Sequence, residues 1–268
     1  MASYHCLCGV YGGSTFLFFG PPQGKEDNNL LLADYPDFSS VRIVNKMDLR
    51  AVSQNLSTDW SGKRVAGYNQ ATKQLLVVDA TTNQVVFSEI IHPARDNQMA
   101  FVTPRLSPTG ELLFATAAGN GGTGSFLYQI SDNKKLLSSK NAYKDAQWIS
   151  EEVIMALTDG NNAPVAIEAA TLKEVGRWRG QNNAIPPINY MLPVGPFVLM
   201  GSRNGDVWGS DQRLQRNPVK IIQGRMGVVG MSWAADMKQA LVAFNDGQAT
   251  WIGPSDIETA MRQDGAGP

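Results

Sequence analysis

The stretch that decides the fold reads STDWSGKRVAGYNQATKQLLVVDATTNQVVF and spans residues 57–87. It contains three short apolar strands, at 64–68, 74–78 and 84–87, separated by turns rich in Ser, Gly, Asp and Thr. An extended run before Ser57 supplies a fourth strand, so the complete copy covers residues 51–91. Repeats of about 40 to 45 residues that each form four strands are typical of β-propeller blades.

Copies of this pattern recur along the chain. The turn and the apolar strand after it return at residues 106–116, 149–157, 192–201 and 233–243, and earlier strands are expected at 14–19, 29–33 and 41–44. Because the inner runs are apolar throughout, we expect them to be covered on both faces, as in stacked blades. The sequence therefore predicts an all-β propeller of about six four-stranded antiparallel blades, with seven possible. A pair of β-sandwiches or an irregular β-barrel is the competing fold.

The C-terminal end carries the only helical pattern. Ser255 is predicted as its N-cap, and Glu258, three residues later, completes a capping box. We therefore divide the chain into one propeller domain, 1–254, and a short helix with a flexible tail, 255–268. The last blade then lacks an outer strand, and the segment 4–10 is predicted to supply it and close the ring.

Two phrases resemble the WD40-like and YVTN-like propeller superfamily. LSPTGELL at 106–113 is similar to the turn between the first and second strands, and DATTNQVV at 79–86 is similar to the turn into the outer strand. The Trp-Asp dipeptide and the Gly-His pair of WD40 repeats do not occur. The resemblance therefore reaches the superfamily without identifying a particular family, and it implies a propeller that binds other proteins.

Composition limits the function classes. The chain has 268 residues, 43% of them hydrophobic, with 23 Lys and Arg against 24 Asp and Glu and a net charge of −1. A near-neutral chain is not expected to bind nucleic acid, which requires many phosphate contacts. No apolar run is long enough to insert into a membrane. No Lys or Arg precedes Lys25, so no signal peptide is visible, and with two cysteines, Cys6 and Cys8, this predicts a cytoplasmic protein.

Residues suited to catalysis are few. His5 and His92 are the only histidines, and no nucleophile motif of the Gly-x-Ser-x-Gly type occurs. The sequence predicts no catalytic residue and no cofactor. An alternative remains open: six-bladed lactonase-like hydrolases hold calcium in the central channel, and Asn55, Asp145 and Asn189 are the candidate ligands for such a metal.

Aromatic and arginine residues near strand ends are the candidates for a binding surface. Aligning the turns brings Arg105 and Trp148 into one column, with Tyr190 close to it. The other candidates end an outer strand or form a hairpin tip, and they are Arg177, Trp178 and Arg203. These residue types dominate protein-interface hot spots, because they combine a large contact area with polar reach.

The sequence thus predicts a non-catalytic protein-binding propeller. It would act as an interaction scaffold, or as an inhibitor or immunity-type partner, through loop and channel-end residues. A metal-dependent hydrolase acting in the channel is the alternative. The oligomeric state stays unknown.

Overall fold

The computed structural model describes four strands before residue 50 by their backbone alone. It then describes residues 56–69, 72–91, 101–118, 124–158, 162–180, 185–224, 226–234 and 237–265. The chain divides into two compact units, residues 1–142 and residues 143–268.

The first unit contains three four-stranded antiparallel sheets. The first sheet is β1 (His5–Gly9), β2 (Thr15–Gly20), β3 (Asn29–Asp34) and β4 (Val41–Val44). The second is β5 (Ser57–Thr58), β6 (Arg64–Asn69), β7 (Gln74–Asp79) and β8 (Gln84–Ile90). The third is β9 (Phe101–Leu106), β10 (Leu112–Ala118), β11 (Gly124–Gln129) and β12 (Lys134–Ser139). Each strand pairs with the next along the chain, so every sheet is a meander.

The second unit contains two further four-stranded sheets, a three-stranded sheet and a helix. The fourth sheet is β13 (Tyr143–Trp148), β14 (Val153–Thr158), β15 (Pro164–Glu168) and β16 (Lys173–Arg177). The fifth is β17 (Ile188–Val194), β18 (Phe197–Ser202), β19 (Val207–Asp211) and β20 (Val219–Ile222). The sixth is β21 (Val228–Ala234), β22 (Gln239–Phe244) and β23 (Ala249–Ile252), followed by α1 (Pro254–Gly265). The predicted all-β class is confirmed, and the described residues form five of the predicted four-stranded antiparallel sheets and a sixth sheet of three strands.

A repeated turn shows why the sequence copies fold alike. In the second sheet the turn runs from Asp59 to Arg64, and in the third it runs from Ser107 to Leu112. Each has a glycine at its fourth position with positive φ, 69° at Gly62 and 76° at Gly110, a conformation that favours glycine. The first side chain of each turn accepts a hydrogen bond from the last backbone N–H, over 2.8 Å in the second sheet and 3.2 Å in the third. The two copies are therefore equivalent in geometry.

The second and third sheets of the first unit pack face to face, and so do the fourth and fifth sheets of the second unit. In the first unit, Tyr68 and Val77 of the second sheet share one buried cluster with Leu113 and Tyr128 of the third. In the second unit, Met155 of the fourth sheet shares a cluster with residues of the fifth. The apolar runs are thus buried between successive sheets, as the sequence predicts.

The prediction for the segment 4–10 is wrong. Its strand, β1, pairs with β2 as a member of the first sheet, with His5 opposite Phe19 and Gly9 opposite Phe16. The sixth sheet has three strands among the described residues. The segment adds a fourth strand to the predicted N-terminal blade, because the short connection between β1 and β2 favours an antiparallel hairpin.

The helix begins slightly earlier than predicted and with a different cap. Pro254 occupies its first turn, where a missing N–H is tolerated. The carboxylate of Asp256 accepts the backbone N–H of Gly253 at 2.7 Å, so Asp256, and not Glu258, closes the capping interaction. Glu258 instead pairs with Arg262 one turn later, at 2.6 Å. The division into a propeller domain and a C-terminal helix stays a prediction.

Candidate binding groove

A groove of about 730 Å³ lies in the second unit, between α1, β20 and the residues that follow β16. We call it the tryptophan groove and define it by six of its lining residues: Trp178, Trp208, Pro218, Lys220, Gln263 and Asp264. Its volume falls in the range of ligand pockets, about 300–1,000 Å³. It is therefore large enough to take several side chains of a partner.

Two tryptophans form one wall of the groove. The ring centroids of Trp178 and Trp208 are 4.9 Å apart, with an angle of 56° between the ring planes. Trp178 is fixed just after β16 by its backbone N–H, which donates to the carbonyl of Pro164 at 3.0 Å, and it is only 3% exposed. Trp208 in β19 is partly exposed, so it offers the larger surface. Its enclosed Nε1–H has no hydrogen-bond acceptor among the described residues.

The helix forms the opposite wall because β19 carries a glycine where the two elements meet. A Cβ atom at Gly209 would lie 2.7 Å from Cγ2 of Ile257 and 3.1 Å from Cδ1 of Ile221. Ile257 is fully buried, so it anchors α1 on the fifth sheet. The close approach places Gln263 and Asp264 at the groove.

Gly209→Ala should therefore destabilise the protein by at least about 1 kcal/mol, because the added methyl overpacks a filled contact. Gly230→Ala is the matched control, since a Cβ there meets nothing within 4 Å. Urea unfolding of both variants measures the difference. Equal stability of the two variants would contradict the tight docking of α1.

A rigid hairpin tip adjoins the groove. Asp206 Oδ2 lies 3.1 Å from Nζ of Lys220, and Nζ lies 5.1 Å from the ring centroid of Trp208. The tip is held from within: Ser202 N–H donates to the carbonyl of Asp206 at 3.0 Å, and the Ser202 hydroxyl donates to Asn204. The tip therefore fixes the position of Lys220 above the tryptophan.

Arg203 lies on this tip with its side chain exposed. Its backbone N–H donates to the carbonyl of Pro187 at 3.1 Å, so the residue is held in place. Within the described part of the chain, no hydrogen bond or ion pair holds its guanidinium. The side chain is therefore available to a partner.

The charges around the groove differ between its walls. Arg177 is held by Glu174 through two hydrogen bonds of 2.6 and 2.7 Å, and this bidentate contact raises the pKa of Arg177. Arg179 is exposed beside Trp178. On the helix wall, Asp264 is exposed and has no ion-pair partner within the residues described. The groove therefore has an exposed carboxylate, Asp264, on its helix wall, and the exposed cation Arg179 follows Trp178 in the chain.

The structure separates two candidates that the turn alignment had placed together. Arg105 stands two residues before the closing bond of its turn, Ser107 N–H to the Leu112 carbonyl, whereas Trp148 stands one residue before the corresponding bond of Ile149. Because successive side chains of a strand point to opposite faces, the two residues face opposite ways. Trp148 is fully buried, which does not fit a partner contact. Arg105 is partly exposed, and its Nη1 donates to the Pro104 carbonyl at 3.0 Å.

The remaining binding candidate serves the packing of the second unit. The hydroxyl of Tyr190 in β17 donates to the carbonyl of Val229 in β21 at 2.7 Å. This bond ties the fifth sheet to the sixth. Of the predicted set, Trp178 lines the tryptophan groove, Arg177 precedes it in the chain and Arg203 lies on the hairpin tip, while Trp148 does not reach the surface.

Trp208, Lys220 and the helix residues were not among the site residues predicted from the sequence. They come from separate elements and share no motif. The available signal was Gly209, because a glycine inside a strand often marks a close backbone approach.

The alternative prediction of a channel metal rests on Asn55, Asp145 and Asn189, of which the structure describes the last two. Asn55 lies outside the described residues. Asp145 and Asn189 are partly buried, and Asp145 Oδ1 accepts the backbone N–H of Ala146 at 2.7 Å. The residues that the structure describes contain no group of three or more His, Cys, Asp or Glu side chains able to hold a metal. The alternative stays a prediction without a located site.

Comparisons with known proteins place the fold in a class. No protein-family model matches the chain, and no curated protein sequence matches it. Solved structures do match. The C-terminal WD40 domain of Sif2 gives a TM-score of 0.61 at 12% identity, over 95% of this chain and 73% of that chain.

Two further structures agree. Hsv2 of Kluyvelomyces marxianus gives a TM-score of 0.59 at 10% identity, over 94% of this chain and 75% of that chain. KlHsv2 with loop 6CD replaced by a Gly-Ser linker gives 0.60 at 10% identity, over 91% and 75%. At this identity the likeness shows the fold, which is a WD40-like β-propeller. The predicted resemblance is confirmed at that level.

The described residues contain no helix that could span a membrane. Within the described ranges, α1 is too short and too polar to cross a bilayer.

Proposed function

We propose that this propeller is a non-catalytic protein-binding module and that its contact surface includes the tryptophan groove and Arg203. The observation that carries the proposal is a groove lined by two tryptophans, in which the lining residue Lys220 pairs with Asp206 of the hairpin tip that carries the exposed Arg203. Trp and Arg are enriched at interface hot spots. A rigid sheet scaffold that presents variable loops suits this role.

A cytoplasmic location is part of the same proposal. It is supported by the small number of cysteines, two in 268 residues. Arg105 is a further candidate contact, since it is partly exposed at the end of a first strand. Arg105 belongs to the first unit and the groove to the second, so the contribution of Arg105 to binding would be tested separately.

Arg203→Ala is expected to weaken binding of a partner about tenfold, because the guanidinium is exposed on a tip that is already ordered. The full chain would be used to isolate partners from native extract, and the affinity of an isolated partner would then be measured by calorimetry for each variant. Lys173→Ala is the matched control, since it removes an exposed cation from β16 without touching the groove lining.

The Arg203→Ala and Lys173→Ala variants distinguish a specific contact from a general loss of positive charge. Loss of binding with Arg203→Ala but not with Lys173→Ala supports the proposed surface. Unchanged binding in both variants, with Trp208→Leu also unchanged, would overturn it.

A further inference from the structure

We propose, resting on the protein-binding function above, that the tryptophan groove binds a proline-rich extended segment of a partner, with a basic side chain of that segment placed against Asp264. Proline-rich segments in the polyproline II conformation dock in aromatic-lined grooves. They are already extended before binding, so little conformational entropy is lost. The groove offers the features that such a segment requires.

The first feature is the aromatic wall. Trp208 is partly exposed in the groove and is backed by Trp178, at a centroid distance of 4.9 Å. Pro218 lies beside them in the lining. Prolyl rings are flat, apolar and rigid, so they pack well on such a surface. Lys220 already places an ammonium 5.1 Å from the Trp208 ring centroid, which disfavours a second cation at this ring.

The second feature is one hydrogen-bond donor on this wall that lacks an acceptor within the part of the chain that the structure describes. The indole Nε1–H of Trp208 is a donor only, and it is enclosed without an acceptor among the described residues. A buried donor without an acceptor is unfavourable. Proline-rich segments have free carbonyl oxygens and few N–H groups. A carbonyl of a bound segment that reaches Nε1 would satisfy this donor.

The third feature is the charge difference between the walls. Lys220 already has its anion in Asp206 at 3.1 Å, and Arg179, which follows Trp178 in the chain, is exposed. Asp264 is the one carboxylate among the described lining residues, and it has no ion-pair partner among them. It lies in the last turn of α1, where the helix dipole also favours a cation. The basic side chain of the segment therefore lies at the helix wall, which gives the segment one direction.

The test uses the full chain and blocked synthetic peptides of about six prolines, roughly 19 Å long in the polyproline II conformation. One peptide ends in arginine, one ends in glutamate, and a Gly-Ser peptide of equal length is the control. Fluorescence of the tryptophans and calorimetry measure affinity. The arginine peptide should bind about threefold to fivefold more tightly than the glutamate peptide, which is the range of an exposed ion pair.

Two variants connect binding to the groove. Trp208→Leu should weaken both proline peptides about tenfold, whereas Trp251→Leu, at a tryptophan 43% exposed in β23, should leave affinity unchanged. Asp264→Lys should reverse the preference in favour of the glutamate peptide. Asp264 is exposed, so the Asp264→Lys variant is expected to fold. It therefore still tests the proposal if the Trp208→Leu variant fails to fold.

Equal affinity for the proline and Gly-Ser peptides would overturn the inference. So would tight, Trp208-dependent binding of a single-stranded RNA oligonucleotide in place of the proline peptides. If a partner protein loses affinity in Arg203→Ala while no proline peptide binds, the segment assignment fails and the protein-binding function stands. If the proline peptides bind as expected but Arg203→Ala leaves the affinity for the partner protein unchanged, the segment assignment stands. In that case Arg203 is not part of the contact surface.

Discussion

Replacing Trp148 with alanine is expected to lower the free energy of unfolding by about 3–5 kcal/mol, the range for truncating a buried large aromatic side chain. Trp148 is among the largest fully buried side chains of the described residues. It lies at the end of β13, where its neighbour Ile149 closes the turn by donating its N–H to the Val153 carbonyl at 2.9 Å. The truncation would leave a cavity that this rigid hairpin cannot easily fill.

Trp251→Ala is the control for Trp148→Ala, because Trp251 is 43% exposed and its removal should cost little. Chemical unfolding followed by circular dichroism would measure both variants. A Trp148→Ala protein as stable as the parent but unable to bind its partner would contradict the structure and restore Trp148 as a contact residue.

Asp59→Ala is expected to lower the free energy of unfolding by about 2–3 kcal/mol, because buried donors that lose a charged acceptor carry a penalty of this size. Asp59 is almost fully buried. It accepts the N–H of Arg64 at 2.8 Å and the hydroxyl of Ser61. Its turn also meets the next sheet, since Trp60 N–H donates to the carbonyl of Pro108 at 3.1 Å. Loss of the carboxylate therefore loosens a joint between two sheets of the first unit.

Asp59→Asn separates hydrogen bonding from side-chain removal. The amide keeps one oxygen to accept the Arg64 N–H, so about half of the loss is expected. Thermal and urea unfolding of the two variants would be compared with the parent. If alanine and asparagine cost the same small amount, the hydrogen bonds of Asp59 do not stabilise the turn.

The strands were predictable because their signal is local. The apolar runs at β7 and β14 are bounded by turn residues, and burial on both faces leaves little choice of structure. The turn of the third sheet was also readable, since Gly110 needs a positive φ. These features depend only on neighbouring residues.

The positions of side chains around the turns were less predictable. The turn after Trp148 is one residue shorter than the turn after Leu106. A shift of one residue moves a side chain to the other face of a strand. Aligning the turn sequences therefore could not predict that Arg105 reaches solvent while Trp148 is buried. The pairing of β1 was mispredicted for another reason, because the missing outer strand of the sixth sheet was given more weight than the short connection to β2, which favours a hairpin.

The groove could not be derived from the sequence because it is assembled from separated elements. Trp178 follows β16, Trp208 lies in β19, Lys220 lies in β20 and Asp264 closes α1. What brings them together is the return of α1 over the fifth sheet, which Gly209 permits. No periodicity in the sequence predicts that α1 packs back onto the fifth sheet.

The position of α1 has a consequence for the order of events during synthesis. Chains are made from the N-terminus, and elements fold as they emerge. The fifth sheet is complete once β20 has been made, but one wall of the groove is still missing. The ribosome must add the whole sixth sheet and then residues 254–264 before the helix docks. A nascent chain therefore carries Trp178 and Trp208 without the helix wall, and the groove is complete only after α1 has emerged and docked on the fifth sheet.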